Sequence, residues 1–288
     1  MAYLVHPSET KRIIEHFRFS FKKKFGQNFL IDENIVRKIV HEAGVTGEDG
    51  VMEIGPGIGT MTQVLCEEAK RVLAVEIDNK LIDVLNFTLE DYDNVTIINQ
   101  DILKCDLSSL VREHNNGEPF KLVANLPYYI TTPIIMGLLE ANAKAGGGLL
   151  SSITVMIQKE VAERLSASPG TKDYGALTLA IQYYTDAKML MTVPASCFMP
   201  RPNVDSAVIG LQIYKEPPIR ARDERKLFSL IKAAFSQRRK TFINSVGSVT
   251  SYDKDRLREG LALIGKDENV RGEVLTLREF ITLSDHLN

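Results

Sequence analysis

The sequence contains no tryptophan and only three cysteines among 288 residues. Cys66, Cys105 and Cys197 are widely spaced and odd in number, so they provide neither a disulfide framework nor the paired spacing of a zinc site. The five histidines are equally scattered and form no H-x-x-x-H pair. We therefore expect free thiols and no metal site.

The sequence also lacks a run of about 18 uncharged apolar residues, the length needed for a membrane-spanning helix. Its N-terminus has no apolar core followed by a small-residue cleavage site of the kind found in secretory signals. We therefore expect a soluble, cytoplasmic protein. Apolar residues make up 44% of the chain, which is sufficient for one large domain and a smaller one.

Net charge is only -2, but the charges are unevenly distributed along the chain. Residues 1–30 carry six Lys/Arg and two Asp/Glu, residues 31–195 carry 13 and 23, and residues 196–288 carry 16 and 12. Each end is therefore +4 and the middle is -10. This distribution favours a polyanionic partner bound by the ends, although charged runs also simply solvate surfaces.

From residue 51 onward, short apolar runs alternate with amphipathic segments of helical period. The runs lie at 51–54, 71–77, 95–101, 121–125 and 152–158. This alternation is typical of parallel strands joined by crossover helices. Two further runs, 174–185 and 204–214, predict an antiparallel hairpin added to the sheet. The pattern therefore predicts an α/β fold with a seven-stranded, doubly wound sheet.

The C-terminal part of the sequence predicts a separate helical domain. Residues 215–220, KEPPIR, form a plausible linker because paired prolines continue neither a strand ladder nor a helix. Helical patterns follow at 223–246, 253–265 and 276–287. We therefore predict a sheet domain over 1–214, with a basic N-terminal arm over 1–30, and an all-helical domain over 221–288.

A glycine loop, EIGPGIGT, follows the first predicted strand of the sheet. Glu53, Gly55, Gly57 and Gly59 lie where glycine lets the backbone approach a ligand and a helix begins. A nicotinamide-binding loop requires its third glycine at position 60, where this chain has Thr60. The spacing agrees better with the E/D-x-G-x-G-x-G loop of S-adenosylmethionine-dependent methyltransferases, so we expect S-adenosylmethionine here.

Two more acidic residues end the next two predicted strands. Glu76 can accept hydrogen bonds from both ribose hydroxyls, and Asp101 can accept one from an adenine amine. Ile77 and Ile102 follow them and can sandwich the adenine ring. The alternative for these positions is that they form tight turns with helix-capping acids.

A second motif, NLPYYITTPI, follows the fourth predicted strand and faces the same edge of the sheet. The side chain of Asn125 and the backbone of Leu126 each offer a carbonyl that can accept one N–H of an exocyclic amine. This arrangement orients the amine and stabilises the positive charge that develops during its attack. Pro127 contributes no competing N–H, and Tyr128 offers a face for stacking. The alternative is a strand-to-helix turn with a buried tyrosine.

Five motifs together resemble a known family. They are GQNFL at 26–30, EIGPGIGTMT at 53–62, NLPYYITTPI at 125–134, FMPRPNVDSAV at 198–208 and AAFSQRRKTFINS at 233–245. In this order they resemble the ribosomal RNA adenine N6-dimethyltransferases, in particular the bacterial kasugamycin-sensitivity type. The resemblance implies a class I methyltransferase (Rossmann-like) sheet. It also implies transfer of two methyl groups to each of two adjacent adenosines in the 3'-terminal hairpin of small-subunit (16S) rRNA.

The resemblance also suggests which residues line the sites. Asn28, Leu30, Gly55, Glu76, Asp101 and Asn125 would line the cofactor site, and Gln27 would lie over the cofactor. Phe198 would pack against the target base opposite Tyr128, unless it is a core residue of a P-x-P connector. The expected RNA contacts are Lys22, Lys23, Lys24, Arg201, Arg238, Arg239 and Lys240. The implied partner is the immature 30S subunit, met by a monomer.

Two alternatives remain open at this point. The large-subunit rRNA methyltransferases that confer macrolide resistance share the glycine loop and the N-L/I-P-Y motif. A protein of another class would act mainly as a small-subunit assembly factor, with methylation secondary. The AFSQRRKTFINS segment and the full helical tail resemble the small-subunit enzyme more closely.

Overall fold

The computed structural model of the protein describes residues 4–18 and 28–287. Its main feature is a seven-stranded sheet in the order β4-β3-β2-β5-β6-β9-β7. The strands are β2 Gly50–Ile54, β3 Arg71–Glu76, β4 Val95–Asn99, β5 Phe120–Asn125, β6 Leu150–Gln158, β7 Thr185–Val193 and β9 Ser206–Ile213. Strands β2 to β6 pair in parallel, and β9 pairs antiparallel with β6. The predicted doubly wound α/β sheet is confirmed.

Helices accompany the strands and also form the C-terminal region. They are α1 Pro7–His16, α2 Glu33–Glu42, α3 Thr60–Glu68, α4 Asn79–Thr88, α5 Leu107–His114, α6 Thr131–Lys144, α7 Lys159–Leu165, α8 Ala176–Tyr184, α9 Glu224–Ala234, α10 Phe242–Val249, α11 Lys254–Leu263 and α12 Leu277–Leu287. Aspartates begin several of them. Asp32, Asp78 and Asp223, for example, accept hydrogen bonds from first-turn N–H groups that have no partner within the helix.

A short second sheet joins two of the motifs described above. Strand β1, Phe29–Leu30, pairs antiparallel with β8, Phe198–Met199. Leu30 and Phe198 are partners in this ladder, and both are buried in a core cluster with Val36 and Val208. The GQNFL and FMPRP segments, distant in sequence, are therefore neighbours in the fold.

The prediction of a strand over 174–185 is wrong. This segment forms helix α8, and the strand β7 that completes the sheet begins only at Thr185. Six of the nine residues of α8 are buried and none is exposed, so no polar face reveals a helical period. A short apolar run of this kind cannot be distinguished from a buried strand by periodicity alone.

The predicted single helix over 223–246 is also wrong, because the structure divides it into α9 and α10. Helix α9 ends at Ala234, and Thr241 begins α10 by accepting a hydrogen bond from the Asn244 N–H. Residues 235–240 form a turn between the two helices. Arg238, Arg239 and Lys240 therefore lie in this turn rather than within a helix.

The chain divides into two compact units. One comprises the described residues up to Ala162 together with Lys188–Ile213, and the other comprises Glu163–Ala187 and the chain from Tyr214 onward. The second unit thus includes 163–187 in addition to the helical region predicted from 221. Helix α8 packs against α9 and α12 within this second unit. Among the described helices, none has the length and apolar character needed to span a membrane.

Candidate active site

A cleft of about 130 Å³ opens at the carboxyl ends of β2, β3, β4 and β5. Ligands of open α/β sheets bind at this edge. Ten of the twelve predicted cofactor-binding residues line it: Asn28, Leu30, Glu53, Gly55, Gly57, Glu76, Ile77, Asp101, Ile102 and Asn125. Gln27 lies outside the described residues. The structure therefore brings together residues from five separate segments of sequence.

The glycine loop forms one wall of this cleft. Gly55 and Gly57 have φ values of +68° and +63°, which side-chain-bearing residues rarely adopt. A Cβ at Gly57 would lie 2.9 Å from the Phe29 ring, so the close approach of these segments also requires glycine. Gly59 differs: it precedes α3 with φ +92° and does not line the cleft, and a Cβ there would lie 3.1 Å from the Thr88 hydroxyl. Gly59 therefore serves the turn into α3, and its predicted contact with the cofactor stays a prediction.

Two buried carboxylates lie beneath the loop. Glu76 is 4% exposed and accepts hydrogen bonds from the Asp78 N–H at 2.8 Å and the Gly57 N–H at 3.4 Å. Glu53 is 2% exposed and accepts one from the Thr62 hydroxyl at 2.6 Å. Burial raises the pKa of Glu53 to about 8 and that of Glu76 to about 7. A ligand that donates hydrogen bonds or carries positive charge would favour the ionised form of both groups.

Asp101 follows β4 at the edge of the cleft. Its carboxylate accepts a hydrogen bond from the Leu103 N–H at 3.1 Å and lies 3.7 Å from the Lys104 ammonium. It therefore caps the short helix Ile102–Lys104. A helix-capping acid is the alternative that the sequence analysis gave for this position. Asp101 also lines the cleft, so capping and ligand contact are compatible.

The NLPYY segment forms the opposite wall, between β5 and α6. The amide nitrogen of Asn125 donates to the Asn28 backbone oxygen at 3.1 Å, across 97 residues of sequence. Because one end of the carboxamide is held in this way, Oδ1 is the group presented as an acceptor. The Leu126 N–H donates to the Met156 carbonyl at 3.1 Å, which anchors the motif on β6.

The turn after Leu126 is held by its own hydrogen bonds. The Pro127 carbonyl accepts from the Ile130 N–H and from the Thr131 hydroxyl, each at 3.1 Å. The Tyr128 ring lines the cleft, and its hydroxyl lies 2.6 Å from Ser206 Oγ. Burial is the main cause that raises the pKa of Tyr128.

Phe198 is buried in the apolar core, and its predicted contact with the target base stays a prediction. Its ring is 3% exposed, belongs to the core cluster around β1 and β8, and does not line the cleft. This burial agrees with the alternative given for Phe198, that it is a core residue of a P-x-P connector.

The predicted RNA-contacting residues are distributed over the molecule. Lys22, Lys23 and Lys24 lie outside the described residues. Arg201, Arg239 and Lys240 have exposed side chains. Arg238 is also exposed, but its guanidinium donates to the backbone oxygens of Lys172 and Tyr174, at 2.6 and 3.1 Å. Arg238 therefore ties the α9–α10 turn to a second loop of its unit.

Sequence reasoning missed several residues of the cleft. Thr60, Gln100, Leu103 and Tyr129 line it, and Tyr129 is 58% exposed. Gln100 directly follows β4 and precedes Asp101, and Tyr129 follows Tyr128 in the NLPYY motif, so the sequence offered a signal for both positions. Thr60 stands where a nicotinamide-binding loop has glycine, and no ligand contact was predicted for it.

Comparison with known proteins agrees with this geometry. A family model described as ribosomal RNA adenine dimethylase matches residues 18–277. A "Ribosomal RNA small subunit methyltransferase A" of Lachnoclostridium phytofermentans is 54% identical, covering 99% of this chain and 98% of that protein. A protein of the same name from Geobacillus thermodenitrificans is 50% identical, covering 98% and 96%.

Two solved structures are also similar. A dimethyladenosine transferase from Plasmodium falciparum has a TM-score of 0.74 and 25% identity, covering 88% of this chain and 95% of that one. The 23S rRNA methyltransferase ErmE has a TM-score of 0.69 and 26% identity, covering 90% and 99%. From the glycine loop, the NLPYY wall and these matches together, this chain belongs to the ribosomal RNA adenine dimethylase family and is an S-adenosylmethionine-dependent rRNA methyltransferase.

Proposed function

We propose that this protein methylates N6 of two adjacent adenosines in the 3'-terminal hairpin of 16S rRNA, adding two methyl groups to each. The proposal rests above all on the Asn125 amide, which Asn28 holds at the cleft that also contains the glycine loop. Relatives named as small-subunit enzymes are 54% and 50% identical, whereas the structurally similar 23S enzyme is 26% identical. This difference favours the small subunit over the large-subunit alternative.

The residues of the cleft fit S-adenosylmethionine. The hydroxyl of Thr60, at the first residue of α3, is buried without a hydrogen-bond partner among the described residues, and Thr60 lines the cleft. Gly55 has no atom within 4 Å of the position where a Cβ would lie, so the loop leaves space for a ligand. Glu53 and Glu76 suit a ligand with hydroxyl donors and a positive centre. When bound, the cofactor supplies an electrophilic methyl group.

The cofactor would be held by residues that already face the cleft. The Glu76 carboxylate would accept the ribose hydroxyls, and Asp101 would accept the adenine amine. Ile77 and Ile102 provide apolar surface for the adenine ring, and Ile77 is 50% exposed at this position. Such exposure of a large aliphatic side chain at a strand end is consistent with a ring that covers it.

Asn125 and Leu126 would prepare the target amine. The nitrogen of an adenine amino group is a poor nucleophile because its lone pair is delocalised into the ring. Acceptance of its two N–H groups by Asn125 Oδ1 and the Leu126 carbonyl orients the nitrogen and stabilises its developing positive charge. The Pro127 carbonyl is engaged by Ile130 and Thr131, so it does not compete as an acceptor. The product ammonium is acidic enough to lose its proton to water.

The target nucleotide must leave its stack to reach the cleft. A loop adenosine does so at low cost, and the Tyr128 ring offers a surface on which it stacks. After the first methyl transfer only one N–H remains for two acceptors. The pocket must therefore accept a methyl group at one of these positions.

Basic side chains would bind the RNA backbone without reading sequence. In the described residues the exposed candidates are Arg201 in one unit, and Arg239 and Lys240 in the other. We expect the same phosphate contacts from the N-terminal arm, at Lys22, Lys23 and Lys24. The natural partner would be the immature 30S subunit, met in the cytoplasm by a monomer.

The function is tested by incubating the protein with labelled S-adenosylmethionine and purified unmethylated small or large ribosomal subunits. We expect label in small-subunit rRNA alone, at two adjacent adenosines near its 3' end when the modified nucleotides are mapped. Label confined to large-subunit RNA would support the macrolide-resistance alternative. Stable binding to immature small subunits without label would support the assembly-factor alternative.

A further inference from the structure

We infer that Ser206 is a positioning residue that orients the Tyr128 ring for the target base. This inference rests on the proposed stacking role of Tyr128. The two hydroxyls lie 2.6 Å apart, across 78 residues of sequence. Ser206 is fully buried, whereas the Tyr128 ring lines the cleft. The hydrogen bond thus links the Tyr128 side chain, which follows the turn at Pro127, to the buried Ser206.

Ser206 is held firmly by its surroundings. It is the first residue of β9 and pairs with Gln158 at the end of the antiparallel β6–β9 ladder. The preceding residue, Asp205, accepts a hydrogen bond from the Lys159 N–H at its backbone oxygen, and one from the Ala195 N–H at its carboxylate. The Ser206 hydroxyl is therefore held in place and can orient the Tyr128 phenol.

Strand β6 supports both halves of the proposed base site. Met156 pairs with Asn125 and accepts the Leu126 N–H, so it holds the amine acceptors. Gln158, two residues further along the same strand, pairs with Ser206. The stacking ring and the carbonyl acceptors are thus anchored to one strand.

This arrangement predicts what loss of the hydrogen bond would do. A Tyr128 ring without its anchor can rotate about its side-chain torsions, so fewer bound bases would present N6 to the acceptors. Cofactor affinity would not change, because Ser206 does not line the cleft. Orientation of the base, and therefore the rate of transfer from the assembled complex, would decrease.

The test is a double-mutant cycle with Ser206→Ala, Tyr128→Phe and the double variant. Tyr128→Phe keeps the ring and removes only the hydroxyl. On unmethylated small subunits we expect each single variant to lose about three- to tenfold in single-turnover rate, the range of one hydrogen bond. The double variant should be no slower than the slower single variant. The affinity for S-adenosylhomocysteine, measured by calorimetry, should be unchanged in all three.

Ser152→Ala is the matched control, a serine on β6 that does not line the cleft. It should leave both the rate and the cofactor affinity unchanged. Losses that multiply in the double variant, or weaker binding of S-adenosylhomocysteine in Ser206→Ala, would overturn the inference. The proposed function fails separately, if the unaltered protein does not label small-subunit rRNA. If Ser206→Ala unfolds, Tyr128→Phe alone decides, because an unchanged rate in that variant contradicts the inference.

Discussion

At the scale of single residues, the cleft depends on polar side chains that form hydrogen bonds within the protein and also face the cleft. Asn125 donates to the Asn28 backbone through its nitrogen, which leaves its oxygen available for the acceptor role that we propose. Glu76 accepts from Gly57 and Asp78, and it still lines the cleft. Residues of this kind are positioned before any ligand binds, which reduces the free energy lost in ordering the site.

Asn125→Ala should retain most of the affinity for S-adenosylhomocysteine but reduce methyl transfer by about 100- to 1,000-fold, the range for loss of one preorganised polar group at a reacting centre. Calorimetry and single-turnover labelling measure the two quantities. Gln212→Ala is the matched control, because the exposed Gln212 amide also donates to a backbone carbonyl, that of Ser151. Turnover that stays normal in Asn125→Ala would exclude the amine-orienting role.

At the scale of elements, the turn between α9 and α10 shows how neighbouring basic residues differ in role. Arg238 bonds two backbone oxygens of the loop at 172–174, whereas Arg239 and Lys240 are exposed. The Phe242 N–H also donates to the Val270 oxygen at 2.7 Å, which joins a third segment to this region. We therefore expect Arg238 to support the turn that displays its two neighbours.

The pair Arg238→Ala and Arg239→Ala separates these roles. Arg238→Ala should lower Tm by about 2–4 °C, as expected for loss of about 1 kcal/mol in a domain of this size. Arg239→Ala should leave Tm unchanged, weaken binding to small subunits and reduce the salt slope of binding by about one. Differential scanning calorimetry and binding at several salt concentrations measure these effects. Equal Tm values with equal salt slopes would contradict the assignment.

At the scale of the whole molecule, two buried carboxylates couple stability to pH. The pKa values of Glu53 and Glu76 are raised from 4.5 to about 8 and about 7. Between these values and 4.5 the folded protein binds more protons than the unfolded chain, so the free energy of unfolding decreases as pH rises. A ligand that prefers the ionised carboxylates opposes this trend.

Without ligand, Tm should therefore be lower at pH 8 than at pH 6, and Glu53→Gln should reduce that decrease. Affinity for S-adenosylhomocysteine should increase over the same pH interval, by up to about tenfold per unit below the pKa of Glu76. Glu76→Gln should bind more weakly and with little pH dependence. Glu90→Gln, at an exposed carboxylate, is the control. An affinity that falls from pH 6 to pH 8 would exclude ionised Glu76 as the acceptor.

Much of the site could be predicted because it lies at strand ends. Glu76 and Asn125 end β3 and β5, Glu53 is the last residue but one of β2, and Asp101 follows the end of β4 by two residues. Parallel strands bring their carboxyl ends to one edge, so these residues meet at the cleft. Phe198 could not be assigned in the same way. Its motif is recognisable, but whether the ring faces a ligand or the core depends on its pairing with Leu30, 168 residues earlier in the sequence.

Local sequence patterns were sufficient to predict the parallel strands, the glycine loop and the motif at 125–128, because periodicity, glycine content and turn chemistry are local properties. Three features became apparent from the packed chain alone: residues 176–184 form a helix, Arg238 donates to two backbone oxygens, and the Tyr128 hydroxyl lies within hydrogen-bonding distance of Ser206. Each of these depends on burial or hydrogen bonding by segments tens of residues away. Local sequence patterns do not encode such contacts, because they arise only when the chain is packed.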